Sequence, residues 1–172
     1  MNLPFYPRPI VGTDVMIFAI RDGQLKVLLV QREGEPYRGR WTLPGGFVRV
    51  DEDIEECATR ELLEQTGVCG VKLEQLYTFG RVTRDLRERV ISVAHYALIS
   101  HDKAVVRPAT RTGTAGWFSL DALPNLAFDH GEIVAIDLDR AAENVGGAAE
   151  LPLPKRIAEN SNQIAPGLFF SA

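Results

Sequence analysis

Two glutamates and a glutamine recur at helical spacing near the middle of the chain. Glu61, Glu64 and Gln65 stand at positions i, i+3 and i+4, so on a helix their side chains can converge on one point. Hard divalent cations such as Mg²⁺ or Mn²⁺ favour clustered oxygen ligands of this kind. Such a cation would offset the charge of a pyrophosphate substrate and polarise its phosphorus. The spacing predicts a metal-assisted phosphate site, although two glutamates on a helix more often form a solvated face.

A helix over residues 54–66 is expected to position these side chains. Asp53 is a plausible N-cap with Glu56 as its capping-box partner, and Gly67 is suited to end the helix in the left-handed conformation. On a helical wheel Glu61 falls inside an apolar stripe, and Gln65 falls among the same residues. That stripe consists of Ile54, Cys57, Ala58 and Leu62, whereas the outer side takes Glu56, Thr59, Arg60 and Leu63.

A lone carboxylate within an apolar stripe would be costly to bury. We therefore expect Glu61 to be neutralised, paired or bound to a metal. The Gly45-Gly46 pair that precedes the helix fits a ligand site, because glycine lets a backbone approach a ligand closely. A Gly-Gly pair taken alone usually marks only a turn.

The whole segment from Gly46 to Val68 has the spacing G-x5-E-x7-R-E-L-x-E-Q-x-G-V. It resembles the signature of the Nudix hydrolases, in which a second glutamate stands where this chain has Gln65. The resemblance implies catalytic roles for Glu52, Arg60, Glu61 and Glu64, with Arg60 holding the glutamates and Glu52 more peripheral. It also implies a metal shell formed by Gly46, Glu61, Glu64 and Gln65. Gln65 offers a carbonyl oxygen but no charge, so we expect a weaker metal cluster.

Further segments are similar to ADP-ribose pyrophosphatases of this superfamily and to Nudix-related regulators that sense ADP-ribose. These segments are residues 6–9, 35–48, 73–90 and 127–130. They imply an ADP-ribose-type ligand, with Arg84, Arg87 and Gly45 as candidate substrate contacts. Arg32, at the end of its strand, is a further candidate for a phosphate contact. Arginines suit bidentate recognition of phosphate. For each arginine the alternative is a solvated loop or a charge at a strand end.

The remaining pattern predicts several strands and one more helix. Apolar runs at 11–20 and 25–31 flank an Asp-Gly hairpin signal, and further strands are expected near 71–79, 90–99 and 115–119. Asp129 would cap a last helix to about Glu143. The resemblance implies a Nudix-type three-layer α/β/α sandwich with a mixed sheet. Residues 1–143 would form this domain, and residues 144–172 a Pro- and Gly-containing tail that docks on the domain or on a partner subunit.

Three other side chains have a functional and a structural interpretation. His130 could contact a ligand, but more often such a histidine makes structural bonds at a helix start. His95 would be packed or exposed within a strand. Cys57 is better explained as a small core residue than as a nucleophile, since no histidine partner is evident. Asp102 is the sole acid in residues 100–116, where many family members carry a further glutamate.

Composition narrows the functional classes. A net charge of −4 gives no electrostatic reason to expect a nucleic-acid partner. The two cysteines suit a reducing compartment, and no leader-like or membrane-spanning apolar run is present, so we expect a cytoplasmic protein with no membrane partner. The sensing regulators carry a DNA-binding winged helix, for which residues 144–172 are too few and too poor in basic side chains. Many relatives are dimers, so the resemblance also allows a homodimer.

Two functions are consistent with these patterns. The first is a metal-dependent hydrolase that converts ADP-ribose to AMP and ribose 5-phosphate. The second is a catalytically weak or inactive domain that binds ADP-ribose or a related nucleotide as a sensor. The charge missing at Gln65 supports the second hypothesis, and an assay of AMP release beside ADP-ribose binding would separate the two.

Overall fold

The computed structural model describes residues 8–100, 106 and 114–135. Seven strands in these residues form one mixed sheet beside a single long helix, and residues 130–135 are also helical. The strands are β1 (Ile10–Arg21), β2 (Gln24–Gln31), β3 (Trp41–Thr42), β4 (Gly45–Phe47), β5 (Glu74–Phe79), β6 (Val90–Ile99) and β7 (Ala115–Ser119). The helix α1 spans Ile54–Thr66, and a short 3₁₀ helix spans Leu120–Ala122.

The central strand β1 has different partners along its length. It runs parallel to β6 over Ile10–Ala19, and it pairs antiparallel with β2 only over Phe18–Arg21. Nearer its start, at Gly12–Asp14, β1 pairs antiparallel with β4 instead. The hairpin of β1 and β2 therefore opens, and the short strand β4 is inserted beside β1. The opening creates a cleft on one side of the sheet.

Local sequence signals account for the regular elements. Asp22 and Gly23 have φ of 55° and 71°, so both central residues of the β1–β2 turn are left-handed, as the Asp-Gly signal predicted. The capping box of Asp53 and Glu56 is present, and Gly67 ends α1 with φ 73°. The observed bounds of α1 match the expected ones. Strand β5 begins at Glu74, three residues later than expected.

Two apolar clusters lie on opposite faces of the sheet. Alternate residues of β1 separate them, with Met16 and Phe18 in one cluster and Val15 and Ile17 in the other. Ile133 and Val134 pack on the first face, whereas Ala58 and Leu62 of α1 pack on the second. This arrangement confirms the predicted α/β/α layers and mixed sheet.

Several expectations lie outside the described residues. They are Asp102, the continuation of the last helix over 136–143, and the tail 144–172. The helix start at 130–135 agrees with the prediction, since the backbone N–H groups of Glu132 and Ile133 donate to the Asp129 carbonyl at 2.9 and 3.1 Å. Within the part of the chain that the structure describes, no helix has the length and apolar character to span a bilayer.

Candidate functional site

A cavity of about 310 Å³ lies where the β1–β2 hairpin opens. Strand β1, the β3–β4 turn, the loop after β2, the arginine-rich loop 81–89 and residues 128–130 contribute its walls. Gly45, Gly46 and Gln65 line one side of the cavity, and Arg32 and Arg87 also line it. Glu61 and Glu64 do not line the cavity, but the Glu61 carboxylate lies against Gly46 and Gln65, which do.

The two glycines of the turn are required by close contacts. A Cβ at Gly46 would collide with the carboxylate of Glu61, and a Cβ at Gly45 would collide with the backbone carbonyl of Thr13. The turn is thereby held between β1 and α1. The pair is therefore more than a local turn, because it brings the backbone against the buried end of Glu61.

The carbonyl that faces α1 belongs to Gly45, one residue before the position expected. The Gly45 oxygen accepts a hydrogen bond of 2.8 Å from the Gln65 amide. The Gly46 oxygen lies instead on the β1 side, 2.9 Å from where a Cβ of Gly12 would be. Pairing of Thr13 with Gly46 in the antiparallel ladder fixes this direction. Of the two carbonyls, Gly45 is thus the one aimed at the predicted metal ligands.

Arg60 holds the glutamates together. Its Nε and Nη2 atoms donate to the two oxygens of Glu52 at 2.8 and 2.7 Å, a bidentate pair. Its Nη1 donates to Glu61 and lies 3.6 Å from Glu64. The wheel placed Arg60 on the outer side, but its side chain folds back along α1 and is 15% exposed. Arg60 thus contacts all three carboxylates, and its role in organising them for catalysis stays a prediction.

Glu52 is the anchor of Arg60. The hydrogen bond from Arg60 lowers the pKa of Glu52 to about 2, so Glu52 stays ionised at neutral pH. Glu61 is 9% exposed, as expected for the apolar stripe, and its charge is paired by Arg60. Of the alternatives left open for Glu61, pairing is present, with Arg60 as the partner.

The expected Mg²⁺ or Mn²⁺ fits this donor set only in part. Glu61, Glu64 and the Gly45 carbonyl offer the oxygens that hard cations prefer. Gln65, in contrast, turns its amide nitrogen toward Glu61 and Gly45, at 2.6 and 2.8 Å. Among the described residues, no group of three or more histidine, cysteine, aspartate or glutamate side chains is arranged to hold a metal. A cation would therefore rely on Glu61 and Glu64.

Arg84 lines the cavity, but its guanidinium group is already paired with two buried carboxylates. It donates to both oxygens of Asp129, at 2.9 and 2.8 Å, and lies 3.3 Å from Asp14. Ser92 also donates to Asp14, at 2.6 Å. This network joins β1, β6 and the start of the last helix, so the geometry gives Arg84 a structural role. Its predicted phosphate contact stays a prediction.

Sequence reasoning missed Asp14 as a site residue and saw Asp129 only as a helix cap. A signal for Asp14 existed, because it is a charged residue inside an otherwise apolar central strand.

His130 makes structural hydrogen bonds near the start of the last helix, as the second of its two interpretations predicted. Its Nδ1 lies 3.0 Å from the Leu43 N–H and 2.8 Å from the Thr42 hydroxyl. Because Leu43 N–H can only donate, Nδ1 accepts and the ring proton resides on Nε2. Burial lowers the pKa of His130, so the ring is neutral. The residue also lines the cavity, next to Phe128.

Arg32 and Arg87 meet at an aromatic ring that sequence reasoning did not single out. Their guanidinium carbons lie 4.8 and 5.0 Å from the centroid of Phe128. Asp85 binds Arg87 through both carboxylate oxygens, at 3.0 and 2.7 Å. Arg32 forms no ion pair with a carboxylate in the described part of the chain. Burial lowers the pKa of Arg32, and the nearby positive charge of Arg87 lowers it further. Phe128 has φ 53°, a strained backbone for an aromatic residue.

Cys57 and His95 are core residues. Burial raises the pKa of Cys57 to about 12, and Glu52 adds to the shift, so the thiol is protonated and unsuited to nucleophilic attack. His95 is 1% exposed and its Nδ1 lies 3.1 Å from the Val93 carbonyl. Burial lowers the pKa of His95. The packed interpretation of both residues agrees with the structure.

Comparisons with known proteins identify the family of the chain. The model of the NUDIX domain matches residues 11–135. The ADPR responsive transcriptional repressor NtrR of Acinetobacter baylyi is 39% identical over 133 residues, which cover 75% of this chain and 53% of the repressor. The ADP-ribose pyrophosphatase of Methanocaldococcus jannaschii is 33% identical over 129 residues, which cover 75% of this chain and 73% of that enzyme. The chain thus spans about half the length of the repressor.

A solved structure extends the likeness to three dimensions. The NUDIX domain of Shewanella oneidensis NrtR, complexed with ADP ribose, superposes with a TM-score of 0.70 and 34% identity. That match covers 81% of this chain and 90% of the other. The fold, the glutamates around Arg60 and these likenesses lead to one conclusion: the chain belongs to the NUDIX family, in its ADP-ribose pyrophosphatase-like branch.

Proposed function

We propose that the cavity binds ADP-ribose, or a closely related nucleoside diphosphate-linked compound, and that the chain hydrolyses it to AMP and ribose 5-phosphate. The observation that supports this most is the position of Arg32 and Arg87 in the same cavity as the Gly45-Gly46 turn. A cavity of about 310 Å³ lies at the lower end of the usual size for small-molecule sites. One relative is an ADP-ribose pyrophosphatase, and another has a NUDIX domain solved with ADP ribose.

The diphosphate is assigned to the side of the cavity formed by Arg32, Arg87 and Phe128. Two like charges converge on the ring. Burial and the charge of Arg87 together lower the pKa of Arg32, although Asp85 and Glu35 act in the opposite direction. A bound anion would relieve this repulsion through charge-assisted hydrogen bonds. Arg84, with its nitrogens bound to Asp129 and Asp14, would hold the wall in place.

Hydrolysis also requires the carboxylates beside the glycine turn. Glu61 and Glu64 would hold Mg²⁺ or Mn²⁺ with a carbonyl of the glycine turn. When bound, the cation supplies charge neutralisation and polarises the phosphorus for attack by water. Arg60 orients Glu61 and Glu64, and Glu52 fixes Arg60 through a bidentate pair. Glu52 and Arg60 are therefore positioning residues rather than groups that touch the substrate.

A second function, binding without appreciable turnover, is favoured by Gln65. Its amide nitrogen faces the Glu61 and Gly45 oxygens, where a carboxylate would have added a charged metal ligand. Such a domain would act as an ADP-ribose sensor. The Acinetobacter relative is described as ADPR responsive, which is consistent with this second candidate.

Three expectations about the surroundings stay predictions. They are a cytoplasmic location, the absence of a nucleic-acid partner and assembly as a homodimer. The Acinetobacter relative is a transcriptional repressor, so the second of these calls for a direct DNA-binding measurement. Size-exclusion chromatography with light scattering would measure the third.

Two measurements on the purified chain test the function. Calorimetric titration with ADP-ribose measures binding, and AMP release in Mn²⁺ measures turnover. We expect Arg32→Ala to weaken ADP-ribose binding by roughly tenfold or more, since a charge-assisted hydrogen bond contributes about 1.5–3 kcal/mol. Arg38→Ala is the matched control, because Arg38 is in the same loop and donates to the Glu33 carbonyl without lining the cavity.

The outcomes separate the candidates. AMP release with Mn²⁺ supports the hydrolase, and binding without AMP release supports the sensor. If ADP-ribose does not bind at all, or if Arg38→Ala weakens binding as much as Arg32→Ala, the proposed site is wrong.

A further inference from the structure

The side-chain amide of Gln65 forms two hydrogen bonds with the backbone of Gly45 and a third with the carboxylate of Glu61. Its nitrogen donates to the Gly45 carbonyl at 2.8 Å and to Oε2 of Glu61 at 2.6 Å. Its oxygen lies 3.4 Å from the Gly45 N–H. The chemistry of these partners fixes the orientation of the amide. A flipped amide would place its oxygen against a carboxylate oxygen and a carbonyl oxygen, and neither can donate.

Glu61 is consequently satisfied by the protein itself. Arg60 binds its Oε1, and the Gln65 nitrogen binds its Oε2. Both groups that meet the carboxylate carry N–H donors, so both oxygens of Glu61 are hydrogen-bonded although Glu61 is 9% exposed. Because Arg60 is shared with Glu52 and Glu64, the neutral amide of Gln65 supplies the donor that the second Glu61 oxygen requires.

The Gln65 nitrogen also joins two oxygens that belong to different elements, Gly45 on the strand side and Glu61 on α1. A divalent cation held here would draw on the same two oxygens. The N–H groups and a cation would compete for the same oxygen lone pairs. Gln65 lines the cavity together with Gly45 and Gly46, so this link shapes the wall next to the proposed diphosphate.

We propose that the amide nitrogen of Gln65 replaces a divalent cation as the link between Glu61 and Gly45, so that nucleotide binding in this cavity does not depend on a metal. The inference rests on the proposed function for the identity of the nucleotide. A metal would then act in turnover only, and it would have to displace the Gln65 N–H from the oxygens of Glu61 and Gly45. The folded site is preorganised by hydrogen bonds, and added Mg²⁺ or Mn²⁺ has little to stabilise.

The exchange Gln65→Glu reverses this arrangement. It removes the N–H donors and places a second carboxylate beside Glu61 and the Gly45 carbonyl. Like charges at this distance repel, and the site then requires a cation to hold the oxygens together. The variant should therefore gain a metal-dependent stability that the natural chain lacks.

The experiment compares the melting temperature of the full chain in EDTA, in Mg²⁺ and in Mn²⁺, and titrates ADP-ribose under the same conditions. For the natural chain we expect melting temperatures within about 1 °C and dissociation constants within about twofold in all three. For Gln65→Glu we expect a melting temperature in EDTA lower by about 5 °C or more, recovered by Mn²⁺. Gln24→Glu, at an exposed hairpin position, controls for the added charge.

If the Gln65→Glu chain can be purified in folded form only with Mn²⁺ and unfolds when EDTA is added, that result also supports the proposal. Two results overturn the proposal. One is ADP-ribose binding by the natural chain that requires Mg²⁺ or Mn²⁺, which leaves the proposed function intact. The other is a Gln65→Glu variant whose melting temperature does not respond to the cations. Absence of ADP-ribose binding in every condition overturns the proposed function instead, and the melting temperatures still decide the role of Gln65.

Discussion

Arg84 donates hydrogen bonds to both carboxylate oxygens of Asp129, at 2.9 and 2.8 Å, although 45 positions separate the two residues in the chain. Arg84 and Asp129 are both nearly inaccessible to solvent, at 9% and 8% exposure. The pair connects the arginine-rich loop to the start of the last helix. Asp14 of β1 completes the network from the central strand.

Replacing one partner of this pair should destabilise the fold strongly. Arg84→Ala leaves Asp129 and Asp14 buried without their cation, and breaking a buried pair typically costs about 3–5 kcal/mol. Urea denaturation measures the loss. Arg81→Ala is the matched control, because its pair with Glu132 is exposed and should contribute less than about 1 kcal/mol. Equal losses in the two variants would contradict the structural role given to Arg84.

The two glycines of the turn should differ in what their substitution disturbs. Gly45→Ala drives a methyl group into the backbone of Thr13, so we expect a loss of unfolding free energy of about 1–3 kcal/mol or more. Gly46→Ala meets the end of the Glu61 side chain instead, so we expect a smaller loss of stability and at least a tenfold loss of AMP release. Denaturation and AMP release measure the two effects.

Gly80→Ala is the control for this pair, since a Cβ there meets nothing within 4 Å. We expect its stability to change by less than about 0.5 kcal/mol. A Gly46→Ala chain with full AMP release would show that the position of the Glu61 carboxylate is unimportant.

The Glu52–Arg60 pair should add an acid-dependent component to stability. Arg60 lowers the pKa of Glu52 from 4.5 to about 2. A depressed pKa in the folded state gives stability that is complete above about pH 4.5 and is lost as the pH falls toward 2. The stability difference between the natural chain and Glu52→Gln should therefore shrink over this range.

Urea denaturation at a series of pH values measures that difference. Glu55→Gln, at an exposed position of α1, controls for the lost charge. A difference that stays constant from pH 6 to pH 2.5 would show that the Glu52–Arg60 pair does not titrate as described.

The two cysteines should react very differently with a thiol reagent. Cys57 is fully buried and its pKa is raised to about 12, whereas Cys69 is exposed. At pH 8 we expect one fast-reacting thiol in the folded chain and two in denaturant. Cys69→Ser should abolish the fast reaction. Fast labelling of the Cys69→Ser chain would contradict the core position of Cys57.

The sequence by itself determined the elements that depend on neighbouring residues. The capping box at Asp53, the left-handed Gly67 and the Asp-Gly turn are local interactions. The first two fixed the bounds of α1, and the third placed the β1–β2 turn to within one residue at each strand end. Helical periodicity also placed Glu61 on the buried side of α1, because side-chain direction repeats with the helix geometry. The family signature depends on the same short-range spacing, so it too could be recognised from the chain.

Only the tertiary structure decided which groups face one another. Arg84 and Arg87 are alike in the sequence, yet Arg84 is bound to buried carboxylates and Arg87 lies over Phe128. The choice between the Gly45 and Gly46 carbonyls followed from how β4 pairs with β1. These outcomes depend on contacts between residues far apart in the chain, and local periodicity carries no information about such contacts. For the same reason, Gln65 looked like a missing charge in the sequence, whereas in the fold it supplies N–H donors to Glu61 and Gly45.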